Sequence, residues 1–257
     1  MRVALVLSAG GLFGAYQWGA WEALEDVLQP DLVIGTSIGS LHAWAIAGGA
    51  RAQDLAPLWQ DPSLEQAIAW RFPRGLRQGI LDTRRLEHRI EQLHSAYVPQ
   101  RSIGIVANAY PRLRPRLFRD REITWEHLAA SCAVPFFLRQ PQLNGATYAD
   151  GGLFDSLNVW AAHEMGADVV VVLNCWKPQQ PWIIDKPVGW VAARRRREAA
   201  AVASPNPSPQ RLVLIEPAQS LGRMRDSMFW NRQHIEDWRQ LGRADALSKK
   251  QIICDMF

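Results

Sequence analysis

Three short segments carry the residue types that acyl-transfer chemistry needs. The first is Gly35-Thr36-Ser37-Ile38-Gly39, a G-x-S-x-G pattern between an apolar run and an apolar helical stretch. A strand that bends sharply into a helix there pushes the serine hydroxyl out of the bend, and the glycines let the backbone pass without a clash. The helix N-terminus behind the hydroxyl offers N–H groups and a positive dipole end to developing negative charge. A tight turn around a buried Ser fits this pattern equally well when it stands alone. The second segment is Ala9-Gly10-Gly11-Leu12-Phe13-Gly14, whose consecutive small residues can present backbone N–H groups as an oxyanion hole facing Ser37. Close helix–sheet packing would use the same glycines. The third is Asp150-Gly151-Gly152, which follows the short apolar run 147–149. At the C-terminal edge of a parallel sheet, Asp150 can take the hydroxyl proton directly if its oxygen lies about 2.6–3.2 Å away. Partial burial would raise its basicity, whereas Asp-Gly alone is a common Asx-turn.

A histidine base has no signature among the six histidines. His42 lies one helical turn past Ser37 and points away from the bend, while His88, His94 and His127 sit in charged helical surroundings and read as surface residues. His163 and His234 stay open as bases. The first glycine loop also has the look of a degenerate dinucleotide fingerprint. That use wants an acid at the end of the next strand, and Asp31 comes before that strand instead. A nucleotide-binding Rossmann-type domain is therefore one rival reading. A catalytically weak membrane-binding module is another.

The elements that must position these residues follow from apolar runs and their breaks. Val3–Leu7, a helical pattern at 18–28, an apolar run at 31–34 and a helix at 41–47 form a βαβα unit, which implies an α/β fold with a parallel sheet covered by helices. Residues 52–93 read as mostly helical and Arg-rich. Residues 103–107 read as a strand, 124–132 as a helix capped by Thr124, and 147–149 as a short strand. A helix ends over 161–166, Val169–Leu173 is the most β-prone run, and 212–215 resumes as a strand. Two terminal helices are expected, at 224–241 and from 244 onward. Between 177 and 209 lie six of the 16 prolines and the run Arg194, Arg195, Arg196, Arg197, an exposed excursion within one domain spanning 1–257.

The chain of 257 residues is 48% hydrophobic and 21% charged, which excludes a disordered chain, a collagen and a disulfide mini-scaffold. Cys132, Cys175 and Cys254 form no CxxC pair, suit a reducing compartment and read as small buried hydrophobes. No apolar stretch approaches the roughly 18 residues of a membrane span, so the chain is expected in the cytoplasm, meeting a membrane from outside. The net charge of +4 hides a pattern. Residues 71–121 carry net +8 and 191–257 net +5, whereas 1–50 and 140–190, which hold the three motifs, each carry −3. With 25 Arg among 29 cations, the basic segments suit phosphate-bearing lipid surfaces, and nucleic acid is not expected. Trp182, Trp190 and the four arginines of the excursion could seat the chain on anionic lipid, although a solvated loop accounts for them as well.

Order and spacing of the three motifs together resemble the patatin-like phospholipase family. Gly14-Ala15-Tyr16-Gln17-Trp18-Gly19 and Ala130-Ser131-Cys132-Ala133-Val134-Pro135-Phe136 support the likeness, which covers most of 3–173. The resemblance implies a three-layer α/β/α fold with a mostly parallel central sheet. It implies Ser37 as nucleophile and Asp150 as general base and acid, a dyad without His. Gly10 and Gly11 would form the oxyanion hole, with Gly14, Gly35, Gly39, Gly151 and Gly152 as motif glycines. The substrates would be acyl esters of phospholipids or lysophospholipids, with no metal and no cofactor. Three positions depart from the family pattern: Ala9 where Gly usually opens the loop, Phe13 where a basic residue is common, and Asn158 where Pro is common.

Overall fold

A computed structural model describes residues 1–61, 69–70, 81–177 and 211–256. Apart from Lys177, the excursion at 177–209, with Trp182, Trp190 and Arg194, Arg195, Arg196 and Arg197, lies outside the described residues. The fully apolar runs form the parallel half of an 8-stranded mixed sheet. β1 (Val3–Leu7) lies between β2 (Leu32–Thr36) and β9 (Val169–Leu173), parallel to both. β10 (Arg211–Ile215) continues beyond β9 and β5 (Ser102–Ala109) beyond β2, also parallel.

β1, β2 and β9 show no polar alternation because alternate residues serve two cores. Val3, Leu5, Leu7, Val171 and Leu173 pack beneath α1 (Gly14–Leu24), α2 (Ile38–Ala47), α5 (Trp125–Ser131) and α7 (Arg232–Cys254). Ala4, Val6, Val170 and Val172 pack on the other face against Ala161 and Ala162 of α6 (Trp160–Glu164). The layers are therefore α/β/α.

The other half of the sheet departs from the reading of 147–149 as a strand of the parallel part of the sheet. β5 pairs with β2 up to Thr36↔Val106, and from Ala107↔Asp150 onward with β8 (Ala146–Asp150), which runs antiparallel. β6 (Arg114–Arg119) occupies the opposite edge of β5 from Gly104 to Ala109, so β2 and β8 share one edge and meet end to end. A hairpin with β7 (Gln142–Leu143) turns the chain back, through Asn144 at φ 50 and Gly145 at φ 78. Two positive-φ residues match the right-handed strand twist, which is why Asn-Gly suits this turn.

α1 begins at Gly14, earlier than the helical pattern indicates, and α2 begins directly after Ser37. Residues 52–96 contribute α3 (Ala52–Gln60) and α4 (Arg84–Ala96), with the two-residue strands β3 (Ala69–Trp70) and β4 (Leu81–Asp82) between them. The two terminal helices expected from the sequence are one 23-residue helix, α7, preceded by a 3-10 turn at Met224–Ser227. Gly242 does not break α7, because it lies against α1: a Cβ there would sit 2.0 Å from the Tyr16 carbonyl oxygen. Gly19 is its counterpart, with a virtual Cβ 1.8 Å from the Arg239 carbonyl oxygen. Both obstacles are backbone, so Gly19→Ala should force the helices apart and lose about 1–3 kcal/mol or more in urea unfolding. In an exposed helix the same change would stabilise by about 1 kcal/mol. A variant as stable as the parent would show that this crossing has slack.

Cys132 and Cys175 are buried as expected, but Cys254 is exposed on the last turn of α7. Among the described residues, no helix is long and apolar enough to cross a membrane.

Candidate active site

Ser37 is the cap residue between β2 and α2, at φ 55 and ψ −127. A non-glycine residue there is strained by roughly 1–3 kcal/mol, and persists only when its surroundings over-determine it. Here the Ser37 N–H donates to Ser131 Oγ at 2.8 Å, and the Ser37 carbonyl accepts from Ser40 N at 2.8 Å and Ser40 Oγ at 2.6 Å. Ser131 Oγ in turn donates to the Val106 carbonyl at 2.7 Å, which anchors the bend to β5. Gly39 lets the bend lie on β1: a Cβ there would be 2.4 Å from the Leu7 carbonyl oxygen. Gly35 lies equally close to the Gly39 carbonyl.

Asp150 is the last residue of β8, and the Ser37 side chain lies close enough to its carboxyl to favour the ionised form. The end-to-end meeting of β2 and β8 brings these residues, 113 positions apart in the chain, to one place. Asp150 is 4% exposed, and its Oδ1 also accepts from Gly152 N at 2.7 Å. Burial pushes its pKa up to about 6, although the Ser37 side chain and the Gly152 N–H pull the other way. Gly151 has no room for a side chain, since a Cβ would lie 2.2 Å from the Val106 carbonyl oxygen.

The first glycine loop lies against both. A Cβ on Gly152 would meet Ala9 Cβ at 2.2 Å, and one on Gly14 would meet Ile38 Cγ1 at 2.6 Å. Ala9 N donates to the Ser156 carbonyl at 2.8 Å, whereas the N–H groups of Gly10 and Gly11 have no partner among the described residues. Gly11 sits at φ 55 and packs on Ser227, and Gly10 packs on the Cys175 thiol. Phe13, which stands where a basic residue is common, is a core anchor of this loop: its ring meets Trp238 edge-on at 5.0 Å.

Among the described residues, no histidine hydrogen-bonds to Ser37 or Asp150. His163 and His234 are both exposed, and the His234 ring lies beside Trp238. His127 is buried rather than on the surface, because its Nδ1 accepts from Thr124 N at the start of α5 and its ring packs on Phe118. His94 is half-buried, stacked on Trp44. His42 does point away from Ser37, into a buried relay. Its Nε2 accepts from Trp59 Nε1 at 3.0 Å, so its Nδ1 donates to Gln17 Oε1, also at 3.0 Å. Gln17 Nε2 then donates to the Ser8 carbonyl at 2.8 Å, at the root of the glycine loop. Burial pushes His42 down to about 3, which keeps the relay neutral.

Sequence reasoning misses Ser131, Gln17 and Asn158 as site residues. Ser131 and Gln17 lie in segments that only support the family likeness, and Asn158 stands out only as a departure from it. Their roles depend on neighbours distant in the chain. Cys132 completes the surroundings, its thiol raised well above the usual thiol range by burial, with the nearby Ser40 and Ser37 side chains pulling the other way. Asp31, the acid just before β2, caps Val3 N at 2.7 Å at the opposite end of the strands from the glycine loop. A dinucleotide would need an acid at the end of β2, and Ser37 follows there. Among the described residues, no group of three or more His, Cys, Asp or Glu side chains is placed to hold a metal ion.

Residues 5–163 match the family model described as Patatin-like phospholipase. The chain is 29% identical over 189 residues to lysophospholipase nte1 of Aspergillus oryzae, covering 67% of this chain and 12% of that protein. It is 27% identical over 170 residues to triacylglycerol lipase ptl3 of Schizosaccharomyces pombe, covering 55% and 35%. This chain therefore spans only a minor part of the curated relatives it matches. Among solved structures, VipD from Legionella pneumophila superposes with a TM-score of 0.55 at 12% identity, over 99% of this chain and 67% of that one. That likeness is one of fold.

Proposed function

Because the chain belongs to the patatin-like phospholipase family, we propose that it is a lipid acyl hydrolase that cleaves phospholipid or lysophospholipid esters through a Ser37 acyl-enzyme. The observation that carries this reading is the meeting of β2 and β8 on β5, which sets Ser37 at its strained bend beside the buried carboxyl of Asp150. Asp150 takes the hydroxyl proton as Ser37 Oγ bonds to the ester carbonyl carbon, and the oxyanion takes hydrogen bonds from the Gly10 and Gly11 N–H groups. The intermediate collapses by breaking the ester C–O bond, and the leaving alkoxide receives the proton from Asp150. Water then attacks the acyl-enzyme, giving its proton to Asp150, which returns it to Ser37 Oγ as the fatty acid departs. The N-terminal dipole of α2 lies behind the nucleophile and favours the same charge.

A lipid substrate is presented at an interface, and the net +8 of residues 71–121 favours an anionic one. The activities for which the two relatives are named, on lysophospholipid and on triacylglycerol, agree in bond type and differ in substrate. The test is hydrolysis of defined phospholipids and lysophospholipids in neutral and anionic vesicles, together with labelling by an alkyl fluorophosphonate and peptide mapping. Fatty acid release with the adduct on Ser37 is expected. A chain that binds vesicles but neither labels nor hydrolyses would be a membrane-binding module of the same fold. Equal rates on both vesicle types would remove the electrostatic part.

A further inference from the structure

β2 and β8 abut end to end along one edge of β5, so no ladder hydrogen bond joins the segment bearing Ser37 to the segment bearing Asp150. Their separation depends on β5 and on side chains that bridge the junction. Ser131 bridges it from α5: its hydroxyl accepts from Ser37 N, and its carbonyl accepts from Gly151 N at 3.3 Å. Asn158 bridges it from the loop after Gly152. Its Nδ2 donates to Thr36 Oγ1 at 3.0 Å, to the Gly151 carbonyl at 3.3 Å and to the Asp155 carbonyl at 2.8 Å, two hydrogens shared among three acceptors. Trp160 Nε1 donates to its Oδ1 at 2.9 Å, which sets the way the amide faces.

Thr36 precedes the nucleophile and Gly151 follows the base, so this one amide spans the junction between them. Asn158 is 1% exposed and sits at φ 46, a left-handed conformation that Asn tolerates and that the fixed ring of Pro excludes. An amide bridge of this kind is thus unavailable to a chain with Pro at this position.

We propose that Asn158 is a positioning residue for the Ser37–Asp150 pair, holding Thr36 and Gly151 at a fixed separation so that the Ser37 hydroxyl stays within reach of the carboxylate. The inference rests on reading Ser37 and Asp150 as the reacting groups. Direct proton transfer needs heavy atoms within about 2.6–3.2 Å, and a displacement near 1 Å can cost about 10²-fold in rate.

Asn158→Gly keeps the positive φ and removes the amide, and Thr36→Val removes only the Oγ acceptor. Each should lower kcat about 10-fold or more, with KM within about two-fold and fluorophosphonate labelling slowed in parallel. The double variant should be no slower than the worse single one, because both break the same link. The acidic limb of the kcat profile should move to higher pH, since a Ser37 side chain held less closely no longer pulls the Asp150 pKa down. Losing kcat only in proportion to melting temperature, or keeping wild-type kcat, would overturn the proposal, as would losses that multiply in the double variant. If Asn158→Gly does not fold, Thr36→Val decides alone, and unchanged kcat refutes positioning. A wild-type chain that neither hydrolyses lipid nor labels would sink the acyl-hydrolase reading itself. An active wild type with indifferent variants sinks only the role of Asn158.

Discussion

Ser37→Ala should abolish lipid hydrolysis and fluorophosphonate labelling together, with kcat down by on the order of 10⁶. The loss is that large because the acyl-enzyme route disappears, leaving only what oxyanion donors and binding can do for attack by water. The fold should survive. The bonds that hold the bend at φ 55 run from Ser37 N and its carbonyl, and Ala keeps both. Melting temperature therefore separates lost chemistry from lost structure. Ser37→Gly sharpens the point, since glycine meets no penalty at that φ: it should be equally inactive yet more stable, by about 1 kcal/mol. A Ser37→Ala variant with the wild-type esterase rate would place the nucleophile elsewhere.

The candidate site residues are legible in the sequence because each motif asks for few residue types at short range. A strand, a Gly-flanked Ser and an apolar helix are contiguous over 32–47, and Val169–Leu173 needs only its own β-branched residues to form a strand. What unites the motifs was not legible. Asp150 meets Ser37 through an antiparallel return of β8, and the local mark of that return is Asn144-Gly145, a turn signal with no information about its partner strand. β6 has no clear signal because Arg114, Pro115 and Arg116 are exposed on an edge strand, where apolar alternation is weak. Gly242 suggests a break in the last helix, when its meaning is a helix crossing that only the folded chain reveals. Phe13 reads as a lost charge near the site and proves to be core, because a loop tethered between Trp238 and the sheet turns that side chain inward.

Asp150→Asn should cost on the order of 10⁴–10⁶ in kcat, and the Ser37→Ala, Asp150→Asn double variant should be no worse than either change alone, since the pair acts as a unit. The carboxamide keeps an oxygen for Gly152 N but turns neutral and non-basic toward Ser37. In the wild type, only ionised Asp150 accepts the hydroxyl proton, so log(kcat/KM) should rise with unit slope below about pH 6 and level off above it. Stability should run the other way. Burial raises the carboxyl from 3.8 to about 6, so between those values the folded chain binds more protons than the unfolded one, and stability falls as pH rises through that window. The Asn variant has no such proton to lose. Its melting temperature relative to wild type should therefore climb from about pH 4 to about pH 7, while its activity stays near zero throughout. A difference that is flat with pH would mean that Asp150 does not titrate in that window, and the base of this reaction would have to be sought in another group.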